Sequence, residues 1–150
     1  MDPDRLTAIP IFSELSAQEA RRLSAFAVES SVPEGSVLIR EGDFATKLIA
    51  IEEGTAEVRS GGVRIASLGP GDVIGEMGLL EGRRRMADVI ATSPMLLIEL
   101  THWELRRMSD QTVTRLRAMI ERRRRAGVAD LTDAPGERSG SDRAAPDKPV

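Results

Sequence analysis

The sequence predicts a mainly β domain flanked by helices, and three observations carry that prediction. Between Ser36 and Leu100, six short runs rich in Val, Ile and Leu are separated by glycine- or proline-containing turns, the pattern of a sandwich, jelly roll or barrel. Two capping boxes, Ser16-Ala17-Gln18-Glu19 and Thr101-His102-Trp103-Glu104, mark helix starts on either side of that region. After the second box, Val113, Leu116, Met119 and Ile120 recur at helical spacing and form one apolar stripe.

Taken in order, Leu6, Ile9, Ile11 and Phe12 suit a short helical piece and a turn around Pro10. Ser16 caps a helix expected to run to about Glu29. Leu15 is its apolar staple, and Ala20, Leu23, Phe26 and Ala27 lie on its inward face. Val32-Pro33-Glu34-Gly35 is a turn. The predicted strands are Val37–Ile39, Lys47–Ile51, Thr55–Arg59, Val63–Leu68, Asp88–Ala91 and Met95–Leu100. Glu41-Gly42-Asp43, Glu53-Gly54 and Ser93-Pro94 separate several of them, and Ser60-Gly61-Gly62 suits a hairpin. A short helix from about His102 to Met108 precedes a longer one from about Gln111 to Ala126. Ser109 or Asp110 caps the longer helix and Gly127 ends it. The expected division is a domain over 1–130, with helices in 1–30, the β region in 31–100 and C-terminal helices in 101–127. From about Leu131 the composition turns to Pro, Gly, Ser, Asp and Arg, which predicts a disordered tail over 131–150.

Composition narrows the function. With 150 residues, 41% hydrophobic and 30% charged, the chain fits one globular domain with a sizeable core. No apolar run approaches the ~18 residues of a membrane span. The opening MDPDRLTAIP lacks the basic-then-apolar order of a secretory signal. Cysteine is absent, so disulfides and thiolate metal sites are excluded, and a cytoplasmic setting is expected. A net charge of −3 makes no overall case for nucleic acid. The charge is uneven: residues 1–100 carry 10 basic and 16 acidic side chains, residues 101–130 carry 8 and 4. Arg122 to Arg125 read as a solvated helix end favoured by the dipole there, or as a face for an acidic partner. Only 24 tail-like residues follow Ala126, so no DNA-binding module is expected. His102 is the single histidine, which leaves no metal cluster and no Ser-His-Asp triad. Glu52 and Glu53 are adjacent and diverge on a strand. No enzyme is expected.

The stretch from Gly69 to Thr92, GPGDVIGEMGLLEGRRRMADVIAT, carries the candidate chemistry. Gly75 lets the backbone bend tightly and approach another molecule. Met77 to Leu80 can form one helical turn whose free N–H groups favour an anion. Glu76 can accept hydrogen bonds from sugar hydroxyls. Arg83, Arg84 and Arg85 offer planar, permanently charged forks for phosphate oxygens. Alternation singles out one of them: if Ala87 and Val89 face the interior, Arg85 does too and Arg84 points away.

The run Gly-Glu-x-x-Leu-Leu, an arginine nine residues after the glutamate, then Ala87 and the Val89-Ile90 strand, resembles the phosphate-binding cassette of cyclic nucleotide-binding domains. The resemblance spans roughly residues 5–127. It implies an eight-stranded β-roll, or jelly roll, with N-terminal helices, a short cassette helix and C-terminal lid helices. It also implies a ligand set of Gly75, Glu76, Met77, Gly78, Leu79, Arg85, Met86 and Ala87. Glu76 would hold the ribose 2′-hydroxyl, and Arg85 with the amides near Gly78 and Leu79 would hold the cyclic phosphate. Cyclic AMP is the first ligand expected and cyclic GMP the second, because Met86 supplies no hydroxyl after the arginine. No cofactor or metal is implied. The output would pass to a separate protein partner, and the apolar stripe suits either a homodimer or coverage of the roll.

Three positions depart from the family pattern: Arg84 stands where proline is usual, Met86 where a small residue is usual, and Gly78 where alanine is common. They motivate a second reading, a retained fold that acts as a protein-interaction module without ligand. An enzyme of small phosphorylated metabolites is a third reading, set aside because no general base accompanies the anion site.

Overall fold

The computed structural model describes residues 1–44, 47–74, 85, 87–101, 104, 111, 114–116 and 118. Two short helical pieces open the chain: α1 (Pro3–Thr7), capped by the Asp2 side chain, and a 3-10 turn at Pro10–Phe12. Helix α2 (Ala17–Phe26) begins at the predicted capping box. Ser16 Oγ accepts from the Glu19 N–H at 3.1 Å, and Glu19 Oε1 accepts from the Ser16 N–H at 2.9 Å.

Eight strands follow among the described residues: β1 (Val28–Val32), β2 (Val37–Ile39), β3 (Lys47–Glu53), β4 (Ala56–Ser60), β5 (Val63–Leu68), β6 (Val73–Ile74), β7 (Asp88–Ala91) and β8 (Met95–Thr101). They form two antiparallel four-stranded sheets, ordered β1-β8-β3-β6 and β2-β7-β4-β5. This is the expected mainly β roll with flanking helices.

The first sheet is the middle layer. In β3, Leu48 and Ala50 face the helices while Ile49 and Ile51 face the second sheet, and all four are buried. Leu48 and Ala50 join Leu6, Ile9, Ile11, Phe12, Leu15, Ala20 and Leu23 in one apolar cluster. Ile49 and Ile51 join Ile39, Ala56, Val58, Ala87, Val89 and Ala91 in the other. Period-two alternation on a doubly covered strand therefore reads as a continuous apolar run.

Two strands differ from the sequence reading. The helix expected to reach about Glu29 stops at Phe26, where Ala27 turns extended (φ −69°, ψ 141°) and Val28 starts β1. Val28 is β-branched and Ser30-Ser31 are poor helix formers, so pairing with β8, from Val28↔Glu99 to Val32↔Met95, decides the conformation. Phe26 is consequently 38% exposed, and Ser24 takes the inward place expected of it. Strand β6 is only two residues long and is held by Ile49↔Ile74 and Ala50↔Val73. Of the short helix expected over His102–Met108 only Glu104 is described; it is helical, and its N–H donates to Thr101 Oγ1 at 3.4 Å. The rest of that helix, Val113, Met119 and Ile120, and 121–150 lie outside the described residues.

Arg5 ties α1 to the first sheet. Its Nε and Nη2 donate to the two oxygens of Glu52 on β3 at 2.9 and 2.6 Å, and its Nη1 lies 2.9 Å from Glu29 on β1. The two carboxylates hold the guanidinium further toward its charged form.

Among the described glycines, Gly54 has the least room for a side chain. Its φ is 96°, and a Cβ there would stand 2.4 Å from the Pro94 carbonyl oxygen. Gly35 has a similar φ of 91° with open space around it. Gly54→Ala should therefore cost ~3 kcal/mol or more, as backbone strain adds to overpacking, while Gly35→Ala should cost about 1–2 kcal/mol. Urea denaturation of the two variants checks this ordering.

Candidate functional site

The cassette stretch connects the two sheets. It leaves β6 at the edge of the first sheet and returns at Arg85, just before β7 in the second. Residues 75–84 and Met86 lie outside the described residues. Of the predicted ligand set this applies to Gly75, Glu76, Met77, Gly78, Leu79 and Met86; Arg83 and Arg84 are there too. Arg85 and Ala87 are placed.

Arg85 is 3% exposed, and among the described residues only Ser24 is another buried polar side chain. Arg85, Ala87, Val89 and Ala91 are all buried, whereas Asp88 and Ile90 between them are half-buried. This is the alternation that puts Arg85 on the inner face. Its backbone is fixed from both sides by the turn before β3: its N–H donates to the Asp43 carbonyl at 2.7 Å, and its own carbonyl accepts from the Gly42 N–H at 2.8 Å. Its Nη2 donates to the Lys47 carbonyl at 2.6 Å, where β3 begins. The Lys47 carbonyl thereby holds one arm of the guanidinium on an otherwise apolar inner face. Lys47 turns its own ammonium to Glu99 on β8 at 2.9 Å. Asp88, on the opposite face from Arg85, accepts from the Glu41 N–H at 2.7 Å and fastens the same turn to β7.

A buried guanidinium held in this way presents a fixed charge and a planar set of donors. That chemistry suits an oxyanion such as phosphate. Ala87, fully buried beside it, contributes shape rather than hydrogen bonds. The contacts of Arg85 with Gly42, Asp43 and Lys47 escape a reading by residue type because they run through main-chain atoms of those residues. The only hint of them is the Glu41-Gly42-Asp43 turn.

The sequence profile of the cyclic nucleotide-binding domain matches residues 29–112. The chain belongs to the cyclic nucleotide-binding domain family. The cAMP-dependent protein kinase type II regulatory subunit of Drosophila melanogaster is 35% identical over 96 residues, 61% of this chain and 26% of that protein. The chain thus spans about a quarter of that relative's length. Among solved structures, a putative cyclic nucleotide-binding protein from Geobacter metallireducens superposes with a TM-score of 0.74 at 24% identity, over 87% of this chain and 98% of that one. The regulatory domain of Toxoplasma gondii PKA, crystallised with cAMP, has a TM-score of 0.67 at 25% identity, over 80% of this chain and 49% of that one. The β-roll of this cyclic nucleotide-binding domain is thus the fold of its structural neighbours. No helix among the described residues is long and apolar enough to cross a membrane.

Proposed function

We propose that the protein binds cyclic AMP in the roll and signals to a partner chain through its C-terminal helix, without catalysing a reaction. The observation that carries this reading is Arg85, the cassette arginine, whose guanidinium is buried on the inner face. In this reading Arg85 and the amides near Gly78 and Leu79 hold the cyclic phosphate, and Glu76 holds the ribose 2′-hydroxyl. Gly75 makes the bend, Met77, Met86 and Ala87 shape the walls, and the helix expected over 111–126 closes over the base. Met86 offers no hydroxyl, which favours cyclic AMP over cyclic GMP. A cytoplasmic setting belongs to the same reading, supported by the cysteine-free composition.

One observation favours a second reading, a fold kept as an interaction module without ligand. The Lys47 carbonyl already occupies one arm of Arg85. A structural arginine would look the same from that side. Titration separates the two. Cyclic AMP at a hundredfold excess over its dissociation constant should stabilise the folded protein by about 2.7 kcal/mol and raise its melting temperature. No shift at millimolar cyclic AMP or cyclic GMP, with flat calorimetry, selects the second reading.

Arg85→Ala should weaken binding by about 2–5 kcal/mol, roughly 30-fold to several-thousandfold, because a buried charge-assisted contact is lost. Arg83→Ala and Arg84→Ala should cost about 0–1 kcal/mol, the range of surface charges. Arg85→Lys should recover part of the loss, since it keeps the charge but not the fork. Calorimetric titration at one salt concentration reads all four. A damaging Arg84→Ala would move the phosphate contact by one residue. Hydrogen exchange offers an independent check: ligand should slow exchange over 111–126 as well as over 71–90. Protection confined to 71–90 would remove the helix from the ligand response.

A further inference from the structure

The inner face of the roll is apolar along most of β3 and β8 and becomes charged where β3 begins. Ile49 and Ile51 of β3, with Met95 and Leu97 of β8, belong to the inner cluster. Side chains two positions apart on a strand share a face, so Lys47 and Glu99 lie on the inner face too. They meet there: Lys47 Nζ donates to Glu99 Oε1 at 2.9 Å. Arg85 stands at the same place, with its Nη2 on the Lys47 carbonyl at 2.6 Å. One residue thus gives its carbonyl to the guanidinium and its ammonium to the carboxylate. This end of the face is open. Val28, paired with Glu99, is 57% exposed, whereas Val32 at the far end of β1 packs on the inner cluster.

With side chains 39% and 17% exposed, the Lys47–Glu99 pair adds little to stability. Its effect on local charge is larger. Glu99 cancels the ammonium of Lys47 next to the guanidinium, and so lowers the positive potential that an anion meets at Arg85. Coulomb energy scales with the charge of the ligand, so a dianion loses twice what a monoanion loses. A cyclic phosphodiester carries one negative charge, and an acyclic 5′-monophosphate carries nearly two above its second pKa of about 6. We propose that Glu99 is a specificity-determining residue: by holding Lys47 it tilts the site toward a monoanionic cyclic phosphate and away from a dianionic acyclic one. This rests on the reading of Arg85 as the phosphate contact.

A purely structural pair behaves differently. Loss of either partner then loosens the β3–β8 junction and weakens every ligand alike. A pair that acts by charge gives opposite signs for its two members, and the change in dissociation constant is squared for the dianion. Both effects shrink as salt shortens the Debye length from ~10 Å at ~0.1 M to ~3 Å at ~1 M.

The test is calorimetric titration of the full chain with cyclic AMP and with 5′-AMP at about pH 7.5, where the acyclic phosphate is doubly charged. The proteins are the wild type, Glu99→Gln and Lys47→Met. Glutamine keeps an oxygen for the Lys47 ammonium. Methionine keeps an unbranched apolar stem and leaves the main-chain carbonyl that Arg85 uses. Glu99→Gln should tighten cyclic AMP about threefold and 5′-AMP about tenfold, and Lys47→Met should weaken each by about the same factor. In ~1 M salt these changes should nearly vanish. Equal changes for the two nucleotides, no change, or weaker binding in Glu99→Gln overturn the role of Glu99 and leave the functional reading in place. A wild type that binds neither nucleotide overturns both.

Discussion

The pairing of β3 with β8 is the constraint on which the rest of the molecule depends. These strands lie in the interior of the middle sheet, in register from Lys47↔Thr101 to Ile51↔Leu97, and their side chains serve two cores at once. The helices are held on one face by Leu48, Ala50, Ile98 and Leu100, and the second sheet on the other by Ile49, Ile51 and Leu97. A shift by one residue would exchange the two sets of side chains and leave neither core matched to its partner layer. The seat of Arg85 inherits this precision, because the carbonyl that fixes its guanidinium belongs to Lys47, the first residue of β3.

Much of the fold is legible in the sequence because local chemistry and tertiary context agree. The Val37–Ile39, Val63–Leu68 and Asp88–Ala91 strands fall where their composition puts them, and the Ser16 box starts α2 at Ala17. Legibility fails where pairing overrides composition. Val28–Val32 has no strong pattern of its own and becomes a strand because β8 offers an edge. Val73-Ile74 is too short to signal anything, yet its two side chains reach opposite cores. These are tertiary effects that a local reading does not contain.

The site divides the same way. Arg85 and its inward direction follow from the Ala87 and Val89 alternation, a rule that needs only the strand period. Its contacts with the turn before β3 do not follow from any residue type. Gly42, Asp43 and Lys47 act through main-chain atoms, and any residue able to adopt the turn could supply the same atoms. The ion pair of Lys47 with Glu99 is similarly invisible along the chain, because it joins residues 52 positions apart.

The place of β8 also bears on how the chain is made. During synthesis β1 emerges more than sixty residues ahead of β8, yet its described strand pairing is with β8 alone. Until Met95–Thr101 leaves the ribosome, β1 and β3 have no strand between them and the middle sheet cannot close. Vectorial emergence therefore does not translate into stepwise folding for this domain. The β4–β5 hairpin joins neighbouring strands, but β1 and the β3 edge that meets β8 stay unpaired until almost the whole roll has been synthesised, and then close late through contacts of high sequence separation.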